Sequence, residues 1–496
     1  MKKVLVANRG EIACRVMRSC RSLGLATVAV HSDADATALH VAEAGEAQRI
    51  GPAPARQSYL VGDAILAAAR ASGADAIHPG YGFLSENAGF ARAVLAAGLA
   101  WIGPTPETIE DMGDKERARL LARAAGVPIL PGSARFSPGD LGGLDAAASE
   151  VGYPLLVKAA AGGGGIGMRR VDQPADLVKT VEATQGLAEK SFGDGTVYLE
   201  RLVEKARHVE IQVFGLGDGR AVHAFERECS IQRRYQKIIE ESPAPGLADA
   251  TRAAMFQAAL SLCRQERYRG AGTIEFVVDA DGGAFYFLEM NTRIQVEHPV
   301  TEMNTGLDLV ALQIRLARGD DLGFLDQASI RTAGHAIECR IYAENPDRNF
   351  LPSPGPLKRF RLPASDAGLR IDTGVREGDQ ITFHYDPMIA KVVAHGADRG
   401  AALDRMARAL GELQIEGVAS NIGFLLRVIG HPAFRAGDSF TGFIGKHAAD
   451  LVTADPPRSP GGRCRRDETA HGEPVAPWGA HELPVRKAMT GETMLR

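Results

Sequence analysis

The sequence predicts a mixed α/β and α+β protein: an N-terminal doubly wound parallel sheet, a central strand-rich unit and a C-terminal α+β unit. Three observations carry this. Short apolar strands alternate with amphipathic helical stretches as far as residue 103; beyond a proline- and glycine-rich stretch at 131–147 the pattern turns to strands joined by glycine turns; and strands mix with helix again over 334–441. At roughly 150 residues per domain, a chain of 496 residues makes about three domains.

Taken in order, residues 3–7 form a buried-type strand, and 11–23 carry Ile12, Val16 and Cys20 at helical spacing up to Gly24. A strand follows at 26–31. Helical stretches at 61–72 and 86–97 lead into apolar runs at 74–78 and 99–103. The first turn, Asn8-Arg9-Gly10-Glu11, has one glycine where a dinucleotide fingerprint needs three, and Glu11 would face the phosphates, so that reading is rejected and Asp33 and Asp35 are expected in a surface loop. Thr105-Pro106 reads as an N-cap and first helical position of a helix over 105–125, with Lys115 inside it and Gly126-Val127-Pro128 as its stop. Residues 131–147 read as a boundary or linker; 153–240 and 271–298 read as short strands; strands at 335–341 and 389–395 flank a helix at 400–412. The tail, 448–496, reads as linker-like or disordered.

Composition narrows the partners. Lys plus Arg number 57 against 61 Asp plus Glu, a net charge of −4 that attracts neither nucleic acid nor an anionic membrane. Six cysteines without a C-x-x-C pair fit a reducing compartment. The apolar start at Met1–Ala7 is cut off by Asn8, Arg9 and Glu11, too early for a signal peptide, so the expected location is the cytoplasm, or an organelle interior after loss of a targeting segment.

Three windows carry chemistry. In Glu289-Met290-Asn291-Thr292-Arg293-Ile294-Gln295-Val296-Glu297, an extended chain would put Glu289, Asn291, Arg293, Gln295 and Glu297 on one side. Upstream, 273–278 and 284–289 flank Asp279–Gly283 as a hairpin, and a register centred on Gly282 sets Glu275 opposite Glu289. Two facing carboxylates repel unless a hard cation lies between them, so Glu275, Glu289 and Asn291 are candidate Mg²⁺ ligands. A solvated strand face would alternate in the same way, but it does not explain the opposed upstream acid.

The second window runs from the strand end Leu155–Lys158 into a glycine loop and on to the strand-like 168–171. That context suits a lid closing its backbone N–H groups over a triphosphate, with Lys158 at its root, better than a dinucleotide turn or P-loop; a flexible linker is the bland alternative. The third, 226–241, holds four basic and four acidic residues, which favours a compact anion over nucleic acid. A charge-laced surface strand fits that window equally well.

Together, Ala7–Ala13, His78-Pro79-Gly80-Tyr81-Gly82-Phe83-Leu84-Ser85-Glu86-Asn87, Asp114-Lys115, the glycine loop, His208–Gln212, Glu289–Glu302, and His335–Arg340 through Thr441–Ile444 resemble biotin carboxylases, over about nine-tenths of the chain. The resemblance implies a Rossmann-like N-terminal domain (1–110), an ATP-grasp domain (115–330, lid about 131–203) and a C-terminal biotin carboxylase domain (334–441). It implies an ATP-dependent ligase that carboxylates biotin with bicarbonate, through carboxyphosphate, using MgATP (or Mn²⁺). Residue by residue, it implies Glu297 as the base, Arg293 holding bicarbonate, Lys237 near the transferred phosphate, and Arg340 stabilising the biotin oxygen. Lys115, Lys158 and His208 match phosphate contacts, with Gly164 and Gly165 in the lid. Met168, Glu200 and Val203 match the adenine pocket, and Tyr81, Gln232, Gln295 and Val296 further ligand contacts.

Two departures stand out. Tyr235 occupies a place where the family pattern usually has histidine near the ribose, and Lys487-Ala488-Met489-Thr490 only echoes the biotin-acceptor motif. Biotin is therefore expected on a separate carrier protein, or the chain is truncated; a carboxyltransferase subunit and a homodimer are the other expected partners. Residues 32–60 look closest to α subunits of acyl-CoA carboxylases of the methylcrotonyl type. A carbamoyl-phosphate synthetase-like ligase shares the cation and lid logic but has no use for Arg340, and a nucleotide-binding scaffold has none for Glu297.

Overall fold

A continuous apolar strand has to be covered on both faces, and Val4, Leu5 and Val6 are fully buried. Strands Lys3–Val6, Ala26–Ser32, Glu46–Gly51, Ala76–His78 and Ala100–Trp101 form a parallel sheet in the order 46–51, 26–32, 3–6, 76–78, 100–101. Val4 and Val6 pack with Ile12 and Val16 of helix Gly10–Ser22, while Leu5 and Ala7 pack with Ile65 of Gly62–Ser72 and Phe90 of Ala88–Ala96. The doubly wound arrangement expected from the sequence is therefore present. Asp35 corrects the expectation of two surface acids: it is 3% exposed and accepts hydrogen bonds from Arg9 and Tyr59, whereas Asp33 pairs with Arg49 at the surface.

The computed structural model describes residues 1–160, 167–364 and 366–452. They divide into two compact units, Met1–Ile129 with the chain from Glu204 onward, and Leu130–Val203.

The helix expected over 105–125 is two, Pro106–Gly113 and Lys115–Ala124. Thr105 caps the first through the Thr108 N–H, but Asp114 turns extended and its carboxylate takes the N–H groups of Glu116 and Arg117. Lys115 consequently opens the second helix instead of lying inside one.

The larger unit also contains an eight-stranded antiparallel sheet, in the order Phe285–Asn291, Arg269–Asp279, Ala206–Leu216, Ala221–Arg233, Gln236–Ser242, His335–Tyr342, Met388–Gly396, Leu369–Thr373. Helix Asp249–Gln265, which the strand pattern did not anticipate, contributes Met255, Ala259 and Leu262 to a core with Val209, Ile211 and Ile274. At the other end, Ile337, Cys339 and Ile341 pack with Leu403, Met406 and Leu410 of helix Arg399–Glu412. Residues 448–451 correct the expected tail: they form a short helix with Leu451 buried, and the remainder of 453–496 lies outside the described residues.

The smaller unit is a four-stranded antiparallel sheet, in the order Gly132–Phe136, Val197–Arg201, Leu155–Ala159, Met168–Val171, with helices Leu144–Val151 and Leu177–Phe192. So 131–147 holds a strand and a helix start where a linker was expected. Helix Leu177–Phe192 escaped notice because its buried face mixes Leu177, Val181 and Ala188 with Thr184 and Gln185, which thins the apolar stripe. Among the described residues no helix is long and apolar enough to cross a membrane.

Gly374, just beyond strand Leu369–Thr373, ties the C-terminal segment to the first helix. A Cβ there would lie 2.3 Å from both the Gly10 carbonyl carbon and the Glu11 nitrogen, backbone atoms that no side-chain rotation can move away. Gly374→Ala is expected to destabilise the chain by about 2–3 kcal/mol, read as a lower urea midpoint.

Candidate functional site

Neighbouring antiparallel strands place directly opposed residues on one face of a sheet. Glu289 lies opposite Glu275, Glu275 opposite Glu210, and Glu210 opposite Arg227, so four strands present a row of three acids and one base. The expected 275–289 pairing is present, but a bulge follows: Phe276 pairs with Phe287, and Leu288 is skipped and left 41% exposed.

The row does not continue along one extended segment to Glu297 as the alternation predicted. The strand ends at Asn291, and Glu297 occupies the N-cap position of helix His298–Thr305. The side chains converge nonetheless. Arg293 donates to Asn291 Oδ1 and Gln295 Oε1, each at 2.9 Å, and pairs with Glu86 at 3.0 Å. Gln295 donates to Glu275 Oε1 at 3.2 Å. The Val296 carbonyl accepts from the fully buried Lys391 at 2.7 Å, and Lys391 also lies 3.1 Å from Glu11, which takes the Tyr81 hydroxyl.

At the centre stands Lys237. Its Nζ donates to Glu210 Oε2 at 2.6 Å, Glu275 Oε1 at 2.7 Å and Glu297 Oε1 at 2.8 Å. Each of these acids has a second basic neighbour: Arg227 Nε at 2.5 Å from Glu210, His208 Nε2 at 2.8 Å from Glu275, and Arg340 at 3.0 Å from Glu297. Gln232 Nε2 approaches His208 Nδ1 at 2.8 Å. The 226–241 window is accordingly a buried hairpin at its core, not a surface strand: Arg227 is 0% exposed.

Charge follows from this geometry. Burial alone would push Glu297 and Glu275 up; Lys237 with Arg340 outweighs it at Glu297, and Lys237 with His208 at Glu275, so both are held well below the usual carboxylate range. Lys237 is held well above the usual lysine range by the three acids, against its burial. Glu289 moves the other way, raised first by the facing Glu275 carboxylate and then by burial. A carboxylate pair under such repulsion, with an amide beside it, is a hard oxygen donor set that fits Mg²⁺. Asn291 here donates its Nδ2 to Glu275 at 2.8 Å and shows its oxygen to Arg293, so ligation by Asn291 requires that amide to turn.

Lys115 is exposed at the start of its helix, and its charge opposes the rise at Glu289. Tyr235 is 72% exposed and, with Arg234, forms a two-residue turn in the left-handed region immediately before Gln236 and Lys237. In the smaller unit Lys158 donates to Glu200 Oε1 at 2.6 Å, Met168 pairs with Lys158 across the ladder, and Val203 is half-buried. Gly164 and Gly165 lie outside the described residues.

Glu210, Arg227, Glu240, Glu86 and Lys391 were not selected from the sequence. For Glu210 the signal existed: His208, Glu210 and Gln212 repeat at period two, like the residues after Glu289. Lys391, inside Ile389-Ala390-Lys391-Val392-Val393, shows only as a charge interrupting an apolar strand.

Comparison with known proteins agrees with this architecture. The sequence matches the biotin carboxylase N-terminal domain over residues 1–109, the carbamoyl-phosphate synthase L chain ATP-binding domain over 114–325, and the biotin carboxylase C-terminal domain over 338–446. It is 52% identical to the mitochondrial methylcrotonoyl-CoA carboxylase subunit alpha of Oryza sativa over 91% of this chain and 61% of that one, so it spans about three-fifths of that relative. It is 49% identical to the biotin carboxylase of Halalkalibacterium halodurans, over 90% of this chain and 98% of that one. The biotin carboxylase domain dimer of Hydrogenobacter thermophilus 2-oxoglutarate carboxylase, solved with MgADP, ADP and bicarbonate, superposes with a TM-score of 0.83 at 43% identity, covering 92% of this chain and 99% of that one. With its sheets, its buried acid–lysine cluster and these matches in agreement, the chain belongs to the biotin carboxylase family.

Proposed function

We propose that this chain catalyses the MgATP-dependent carboxylation of biotin by bicarbonate, the first half-reaction of an acyl-CoA carboxylase. The observation that carries the reading is Glu297: buried, ionised, and held from two sides by Lys237 and Arg340. A base for bicarbonate must stay deprotonated at neutral pH and lie beside a cation that also attracts the anion. Arg293, bonded to Asn291 and Gln295 and paired with Glu86, is fixed where its guanidinium can hold a planar oxyanion. Lys237 supplies charge for a transferring phosphoryl group, and Arg340 for an oxygen that gains negative charge as a ureido nitrogen loses its proton. Glu275, Glu289 and Asn291 would hold Mg²⁺, which when bound neutralises phosphate charge.

The nucleotide contacts proposed are Lys115, Lys158, Met168, Glu200, Val203, His208 and Gln232, with the 164–165 glycines as lid. Biotin is proposed to arrive on a carrier protein, with a separate carboxyltransferase completing the reaction. The names of the relatives favour a methylcrotonyl-type acceptor.

Bicarbonate-dependent ADP release is expected to rise when free biotin is added; absence of stimulation sinks the assignment. Glu297→Gln is expected to lower kcat by about a hundredfold or more with little change in the KM for ATP, measured by coupled ADP assay.

Lys237 also makes a stability prediction. Glu275 and Glu297 have folded-state pKa values depressed below the ordinary value of 4.5, so their contribution is present above about that pH and fades as pH falls. Lys237→Gln is expected to cost about 3 kcal/mol at neutral pH, and the gap to the unmodified chain is expected to narrow in denaturation curves taken on the acid side of pH 4.5.

A further inference from the structure

One buried acid beside the site has no partner in the proposed reaction. Glu338 is 0% exposed, and neither of its carboxyl oxygens has a hydrogen-bond partner among the described residues. It lies directly opposite Glu240, also 0% exposed, on the adjoining antiparallel strand. Two residues on, Arg340 stands opposite Lys391. The same nitrogen of Arg340 lies 2.6 Å from Glu240 Oε1 and 3.0 Å from Glu297 Oε2. Glu240 and Glu297 thus share one cation, and Glu338 is backed onto Glu240 without one of its own.

Two buried carboxylates facing each other across a ladder cannot both stay ionised at neutral pH unless cations match them. The charged groups that face this pair are Arg340 on its own strand, Lys237 on the strand of Glu240, Lys391 on strand Met388–Gly396, and Glu297 and His298 at the start of helix His298–Thr305, which packs on the same strands. Lys391 is already engaged by Glu11 and the Val296 carbonyl, and Lys237 by its three acids. Helix Arg399–Glu412 covers the opposite face with apolar side chains. Burial, then the nearby Glu240 against the pull of Lys391, pushes Glu338 well above the usual carboxylate range.

We propose that Glu240 and Glu338 form a carboxyl pair that retains one proton, carried by Glu338, and that Glu240, as a positioning residue, holds Arg340 partly away from Glu297 and so limits how far Arg340 weakens that base. The inference rests on the proposed carboxylase reading for the role of Glu297, but the proton itself does not. With the proton in place, the cluster of Glu240, Glu338, Arg340 and Glu297 carries one net negative charge. Without Glu240, Arg340 would turn wholly to Glu297 and a repelling charge would vanish. Both changes lower the basicity of Glu297.

The test has three arms on the full chain. An infrared spectrum near neutral pH is expected to show a buried protonated-carboxyl stretch that shifts in D₂O and disappears in Glu338→Gln. An acid whose folded-state pKa is raised contributes stability that is lost as pH rises, so the urea midpoint is expected to fall more steeply as pH rises above the ordinary value of 4.5 in the unmodified chain than in Glu338→Gln. Glu240→Gln is expected to move the acid limb of the kcat profile down by about one pH unit and to lower kcat by about fivefold, with the KM for ATP held. If Glu240→Gln does not fold, Glu240→Asp, which withdraws the carboxylate from Arg340, should move the limb the same way by less. An unchanged infrared band together with equal pH slopes in Glu338→Gln would overturn the retained proton. A fall in kcat with no movement of the limb would reduce Glu240 to a structural role and overturn the positioning claim. A chain with no biotin-stimulated ATP cleavage would sink the proposed function instead, while the infrared and unfolding arms would still read the proton.

Discussion

Three carboxylates from three different elements meet one ammonium, and the site depends on that meeting. Glu210 comes from one strand, Glu275 from its neighbour, and Glu297 from a helix cap, yet all lie within 2.8 Å of Lys237 Nζ. Buried like charges at such separations would otherwise force protonation or unfolding. The arrangement has a second layer, because Arg227, His208 and Arg340 each stand by one of the three acids. Lys237 can therefore turn toward an incoming anion without leaving any of them bare. A lysine that alone neutralised the cluster could not be spared for that.

The second layer also explains why so much polar surface lies inside the larger unit. Arg227 is fully buried and bonded to Glu210, Gln212, Thr273 and Thr301, which satisfies its nitrogens with side chains from two neighbouring strands and a helix. Losing a member of such a network strands its neighbours without water, so the network is rigid where catalysis needs fixed dipoles.

How far the sequence revealed this varied with the kind of interaction. The parallel sheet was readable because strands 3–6 and 26–32 carry short apolar runs, Val4–Val6 and Val28–Val30, beside helices of clear period. The 275–289 opposition was readable because a hairpin register is local, and it failed at Leu288 because a bulge leaves no mark in the alternation. Helix Leu177–Phe192 was lost in a thin stripe, and the break at Asp114 was hidden because a capping aspartate also fits a helix interior by charge alone. In the site, Glu297 stood out in the alternating polar row, and its role and that of Arg340 came from motif resemblance; Glu240 and Lys391 did not stand out, since their meaning comes from contacts remote in sequence, Glu240 with Glu338 and Lys391 with Arg340 and the Val296 carbonyl.

Strand His335–Tyr342 shows why fold and site cannot be separated. Its Ile337, Cys339 and Ile341 enter the apolar core with helix Arg399–Glu412, while Ala336, just before them and in the opposite phase, packs with Val300 of the helix that Glu297 caps. Glu338 and Arg340 share the phase of Ala336 and so must point to the acid cluster. A slip of one residue would drive both charges into the apolar core and Cys339 into the site. The burial that fixes the register is therefore what delivers Arg340 to Glu297, and the apolar C-terminal core does as much for the chemistry as the charged residues that perform it.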